Sequence, residues 1–183
     1  MKNIQAAPQA RYSMTTIILH WLVALLIVAA FALGTVMTDM RISPAKLQYY
    51  SWHKWLGVTV LALVGLRLLS RLSGTAPAYP DSMPAWEKQA ARGTHALLYL
   101  LMLAVPLSGY FYTLAAGYPV VYLGLFELPV LIGPHPELKH FLKTLHATLT
   151  YIMLALVILH VAAALKHYFI DQDGILQRML PGK

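Results

Sequence analysis

Four stretches of this chain are too long and too apolar to be satisfied by anything except one another and a lipid environment. They cover about residues 15–37, 52–69, 93–116 and 142–169, and the first carries no charged side chain. A helix rises about 1.5 Å per residue, so each run can cross a hydrocarbon core about 30 Å thick. The rest of the chain cannot offer an alternative. Hydrophobic residues make up 58% and charged ones 11%, where a water-soluble domain carries about 25% charged residues. That little polar surface cannot cover a globule in water. The expected architecture is an all-α integral membrane four-helix bundle, read as a single domain over residues 1–183. The first run is longer than the roughly 7–15 apolar residues of a signal peptide and reads as a retained span. The connections, 38–51, 74–92 and 117–141, are marked by prolines and glycines that favour ordered turns over a fifth crossing. Pro106 is expected to kink the third helix.

Composition also removes whole classes of chemistry. With no cysteine, disulfides, iron–sulfur clusters, thioether-attached haem and thiolate catalysis are all excluded. No glycine-rich phosphate loop, zinc motif or nucleophile triad is present. The formal charge of +7 does not point to nucleic acid, because the basic residues cluster at span ends, where they act as a topological signal. With the N-terminus inside, Lys2, Arg11, Arg67, Arg71, Lys88, Arg92, Lys166, Arg178 and Lys183 fall on the inner side. Arg41, Lys46, Lys54, Lys139 and Lys143 fall outside. Nine against five favours both termini in the cytoplasm.

What the spans carry, despite its cost in lipid, is histidine. His20 lies in the first span, His53 begins the second, His95 begins the third, and His146 and His160 share the fourth. His146 and His160 are 14 positions apart, close to four helical turns, so they share a face about 21 Å apart along the axis. That is too far for one metal ion and suits two cofactors stacked across a bilayer. Depth pairs them with the remaining histidines. His20 and His160 each lie about two turns from the inner end, and His53 and His146 both lie near the outer end. Each pair can hold one iron, and bis-histidine iron changes oxidation state with little rearrangement.

Other residues fall into register with this scheme. Gly34 follows His20 by 14 positions, while Gly57 and Gly65 follow His53; missing side chains would let a flat macrocycle approach the helices. Arg67, 14 positions after His53, faces the bundle at the inner depth, where it could pair with a haem propionate. Trp21, Trp52 and Trp55 read as interfacial belt residues. His135 and His140 read as residues in or beside the outer loop.

The motifs then resemble a known family. Tyr12-Ser13 with Leu19-His20-Trp21, Trp52-His53-Lys54, and Arg67-Leu68-Leu69-Ser70-Arg71-Leu72 are similar to segments of the bacterial cytochrome b561 family. So are Thr94-His95-Ala96-Leu97-Leu98-Tyr99, Thr144-Leu145-His146, Leu159-His160, Lys166-His167-Tyr168-Phe169 and Arg178-Met179-Leu180-Pro181. The resemblance implies a bacterial inner-membrane protein with two b haems held by His20, His53, His146 and His160. It also implies an activity, the oxidation of superoxide at the periplasmic face coupled to reduction of ubiquinone in the membrane. On that reading Lys54, Lys139 and Lys143 would steer the superoxide anion to the outer mouth, with Arg41 and Lys46 contributing. His95 and His167, unused as ligands, would bind the quinone or relay its protons. Related cytochromes serve as quinone-linked membrane subunits of hydrogenases and formate dehydrogenases, so the alternative is an electron-transfer anchor joining a partner dehydrogenase to the quinone pool.

Overall fold

The computed structural model describes residues 11–74 and 76–181. Lys2 and Lys183 of the charge count lie outside the described residues. Four long helices account for most of the chain: α1 (Met14–Asp39), α2 (Pro44–Ser73), α3 (Ala85–Ala115) and α4 (Pro136–Lys166). All four are long and apolar enough to cross a membrane, and most of their large apolar side chains point outward, as they must where lipid is the solvent. The protein is an all-α membrane four-helix bundle.

The helices run past the apolar stretches that announced them. α2 begins at Pro44 and not near Trp52, α3 at Ala85 and not near Gly93, and α4 at Pro136 and not near Leu142. The apolar runs measured only what lies in hydrocarbon, whereas local capping decides where a helix starts. Ser43 caps α2, its side chain accepting from the Lys46 amide at 3.2 Å, and Pro44 follows at the first helical position. His135 does the same for α4, accepting from the Leu138 amide at 3.2 Å ahead of Pro136; proline is suited to that position. His135 is therefore a helix cap and His140 a residue within α4, not loop residues. His53, His95 and His146 correspondingly lie about ten residues inside their helices. α3 continues through Pro106 as one helix and ends at Gly117, whose φ of +82° supplies the left-handed turn that stops a helix.

Backbone packing runs α1 on α2, α2 on α3 and α3 on α4. Two apolar clusters fill the middle of the bundle. One joins Val23, Val60 and Val64, and the other joins Leu101, Val105 and Met153. At the end expected to face outward, residues 116–135 form a small cap with a two-residue antiparallel pair, β1 (Val121–Tyr122) and β2 (Phe126–Glu127). Trp55 fastens it to α2 by donating to the Val121 carbonyl at 2.7 Å, and Thr59 meets the Tyr122 hydroxyl at 2.8 Å. At the opposite end, expected to face inward, α4 passes into a π-helical turn (His167–Asp171), and the chain folds back beneath α1. The Trp21 indole donates to the Met179 carbonyl at 2.7 Å, so Trp21 ties the C-terminal segment to α1 as well as flanking the membrane interface.

Candidate functional site

Two histidine pairs span the bundle, one near each end. His53 on α2 and His146 on α4 have ring centres 6.1 Å apart, and His20 on α1 and His160 on α4 have ring centres 6.2 Å apart. A metal–imidazole nitrogen bond is about 2 Å and the ring centre lies about 1.2 Å behind the nitrogen, so two rings facing one ion stand about 6.4 Å apart. Both pairs meet that spacing. Between them lie the two apolar clusters, so the pairs occupy separate levels of one bundle.

The outer pair is held in a defined orientation. His53 Nδ1 bonds the Ala30 carbonyl at 2.9 Å, and His146 Nδ1 bonds the Val105 carbonyl at 3.0 Å, with the Ser108 hydroxyl at 3.1 Å. A carbonyl can only accept, so each Nδ1 carries the proton and each Nε2 keeps its lone pair for a metal. This is the outer support that ligating histidines ordinarily receive. A glycine four residues after each carbonyl makes the approach possible. A Cβ on Gly34 would come within 3.2 Å of His53 Cε1, and one on Gly109 within 2.9 Å of His146 Cε1. Gly34 was legible in the sequence, though as clearance for a macrocycle and not for a histidine. Gly109 and Ser108 were missed; the signal would have been a glycine on α3 at the depth of His146. Gly57 makes only an ordinary approach to Pro106, at 3.9 Å, and Gly65 has no atom within 4 Å of where its Cβ would be.

A cavity of about 60 Å³ lies against the outer pair, bordered by all four helices through residues such as Ile27, Gly57, Met102 and Thr150. That volume alone would not hold a porphyrin. What fits a flat iron macrocycle is the donor set and the layout of the helices. Backbone seams follow chain order, and among the described residues α4 makes no comparable seam with α1 or α2. The α4 edge is crossed instead by rings: the two histidine pairs and Phe31 against Tyr151, 6.4 Å apart. Four imidazoles reaching across it can hold b-type haem.

The inner pair has company that the outer pair lacks. His95 of α3 lies 5.3 Å from His160, ring centre to ring centre, making a three-histidine cluster with His20. Arg67 lies within electrostatic range of all three and is turned onto α3, its Nε donating to the Tyr99 hydroxyl at 3.0 Å. His167 is buried apart from this cluster. Its Nδ1 meets Asp173 at 2.7 Å and Asp171 at 3.0 Å, while Lys166 joins Asp171 to Glu87. Of the outer lysines, Lys54 is half-buried beside His53, whereas Lys139 and Lys143 are exposed one turn apart on α4. Lys46 is engaged locally, donating to the Met40 carbonyl at 2.6 Å.

Comparison with known proteins agrees with this architecture. A family model described as prokaryotic cytochrome b561 matches residues 11–182. The chain is 33% identical to Cytochrome b561 homolog 2 of Escherichia coli (strain K12) over 93% of its own length and 91% of the relative's. It is 31% identical to Cytochrome b561 homolog 1 of the same organism, over 93% and 97%. It is 32% identical to a protein of Yersinia pestis named "Probable superoxide oxidase CybB", over 94% and 97%.

Proposed function

The chain belongs to the prokaryotic cytochrome b561 family, whose membership implies b-type haem, and from that premise we propose that it is a di-haem membrane oxidoreductase oxidising superoxide at its outer face and reducing ubiquinone. The observation that carries the reading is the recurrence of one ligand geometry at two depths, with imidazole centres 6.1 and 6.2 Å apart. His53 and His146 would hold the outer haem, and His20 and His160 the inner one. Bound haem supplies reversible one-electron chemistry at each level.

The protein's own residues then divide the work. Helices α2 and α4 present Lys54, Lys139 and Lys143 at the outer end, raising the local concentration of a small anion such as superoxide; one relative carries superoxide oxidase in its name. Ala30, Val105 and Ser108 fix the outer imidazoles. The Val60, Val64 and Leu101 layers keep water out of the space between the levels. At the inner end His95 is placed to contact the quinone, and Arg67 offers positive charge to a haem propionate. His167, bridged to Asp173 and Asp171, sits where the chain meets inner water and can pass protons inward. The overall reaction balances as two superoxide anions, one ubiquinone and two protons giving two dioxygen molecules and one ubiquinol. Both termini lie on the cytoplasmic side on this reading, in the inner membrane.

The test is a reduced-minus-oxidised spectrum and a haem-to-protein ratio on the purified protein, followed in the same sample by superoxide and a soluble ubiquinone analogue. Two b haems with quinone-dependent superoxide consumption are expected. Two haems without that activity would refute the superoxide assignment and favour an anchor for a partner dehydrogenase. No haem, after haem-supplemented expression, would overturn the ligand assignment altogether.

A further inference from the structure

A second cavity, of about 420 Å³, opens at the inner end of the bundle, away from the histidines. Its walls are Arg71 near the end of α2, the connection through Ala78 and Tyr79, Lys88 and Arg92 on the first turns of α3, and Tyr12 ahead of α1. Three cations converge here. Among the described residues none of them forms an ion pair. Of the carboxylates at this end, Glu87 and Asp171 are engaged by Lys166 and Asp173 by His167, while Asp81, in the same connection as Tyr79, makes no ion pair among the described residues and does not line the cavity.

The arrangement is unfavourable as it stands. Lys88 and Arg92 are like charges at i and i+4 on one helix face, a spacing that destabilises a helix. Lys88 also lies four residues past the Pro84 cap, close to the end where the helix dipole repels cations. An anion in the cavity reverses both effects. The neutral groups are suited to the same guest. The Arg92 guanidinium stands 5.9 Å over the Tyr79 ring, which orients its donors. Burial pushes the Tyr79 hydroxyl up from its ordinary value, so it remains a protonated donor beside three cations. The wall is also braced from behind, for Arg178 donates to the Ala78 carbonyl at 2.5 Å. A set of arginine, lysine and hydroxyl donors is the chemistry of phosphate recognition, and the position, at the polar end of the spans, is the depth of lipid headgroups.

We propose that Arg71, Lys88, Arg92 and Tyr79 form a binding site for the phosphate group of an anionic phospholipid in the inner leaflet. This goes beyond a basic excess that merely orients the chain, because a topological signal needs no cavity, no converging side chains and no phenol.

The experiment is native mass spectrometry of the full chain in mild detergent, with phosphatidylglycerol and phosphatidylcholine of matched acyl chains offered in equal amounts. The parent protein should prefer phosphatidylglycerol. Arg71→Gln with Arg92→Gln should weaken that lipid about 25-fold, at roughly fivefold per cation, and weaken phosphatidylcholine much less, because its choline cation offsets the phosphate charge. Lys139→Gln with Lys143→Gln removes the same charge from an exposed i, i+4 pair at the other end and should have no effect. Tyr79→Phe, which keeps every charge, should weaken phosphatidylglycerol a few-fold and serves if the double variant does not fold. Inorganic phosphate, compared with chloride at equal ionic strength in a thermal-shift assay, separates the two sources of the group. Stabilisation by phosphate without lipid preference would overturn the lipid as source while keeping the phosphate site. No preference for either, or equal loss from the outer lysine pair, would overturn the site.

Discussion

Replacing Gly109 by alanine isolates the outer histidine geometry more cleanly than removing a histidine does. Gly109 lies within α3 with an ordinary helical backbone, and alanine is the better helix former there by about 1 kcal/mol. On helix propensity alone Gly109→Ala should be stabilising. The added Cβ, however, would stand 2.9 Å from His146 Cε1 and 3.1 Å from His146 Nδ1. Carbon atoms settle at about 3.5–4.0 Å, so the imidazole must retreat by about 0.6 Å or more. The ring has little freedom to do so, because its Nδ1 is bonded to Val105 at 3.0 Å and Ser108 at 3.1 Å. Overpacking of this kind costs about 1–3 kcal/mol, and a loosened hydrogen bond about 0.5–1.5 kcal/mol. Their sum outweighs the helix gain wherever His146 must stay in position. Loss of such outer support weakens metal binding about 10–100-fold. The expected result is a haem-to-protein ratio falling from two towards one after detergent purification, with α-helical circular dichroism unchanged. Gly93→Ala, on the same helix with no atom within 4 Å of its Cβ, should keep both haems. Gly34→Ala should act on His53 more mildly, since its closest approach is 3.2 Å. A Gly109→Ala protein with the parent's haem ratio and unchanged potentiometric titration would refute the reasoning.

Further expectations follow from the same geometry. His146→Ala should remove one b-type component from a redox titration and His160→Ala the other; a variant that kept both low-spin components would break the pairing. Arg67→Gln, which removes the cation near His20, His95 and His160, should lower one midpoint potential by on the order of tens of millivolts and leave the other in place, as read by spectroelectrochemistry. His95→Ala should keep both haems yet slow quinone reduction about 10-fold or more, the scale of a lost proton-transfer or orienting group; loss of haem instead would make His95 a ligand.

The spans were legible because lipid leaves no alternative to uninterrupted apolar helices, and the histidine pairing because a 14-residue interval returns to one helix face. The helix starts were not legible from hydropathy, since Ser43 and His135 act through local caps in polar segments. The outer anchors were hidden for a different reason. Ala30 and Val105 contribute backbone carbonyls, which have no residue signature, and they become acceptors only because Gly34 and Gly109 remove a Cβ at the crossing point. His95 read as a residue at the entrance of its helix, because the turns from Ala85 onward are too polar to look like part of a span. Tyr12, Tyr79 and Arg92 lie far apart in sequence or in a proline-rich connection, and only the folded inner end brings them around one cavity.

The two histidine levels are built from different materials, and the difference has a direction. The outer imidazoles donate hydrogen bonds from Nδ1 to carbonyl oxygens, which raises electron density on Nε2 and would favour the more highly charged, oxidised state of an iron held there. At the inner level Arg67 faces the histidine cluster, and a nearby cation favours the state of lower positive charge, which is the reduced one. Both effects would lower the potential of a haem at the outer level relative to one at the inner level, so electrons arriving outside would fall inward towards His95. An anchor fed by a partner at the inner face would be served by the opposite gradient. The placement of one arginine and two carbonyls thus favours an outer donor and an inner acceptor, while Lys54, half-buried beside His53, acts in the opposite sense by the same Coulomb argument; replacing Lys54 by Gln should therefore widen the separation of the two midpoint potentials.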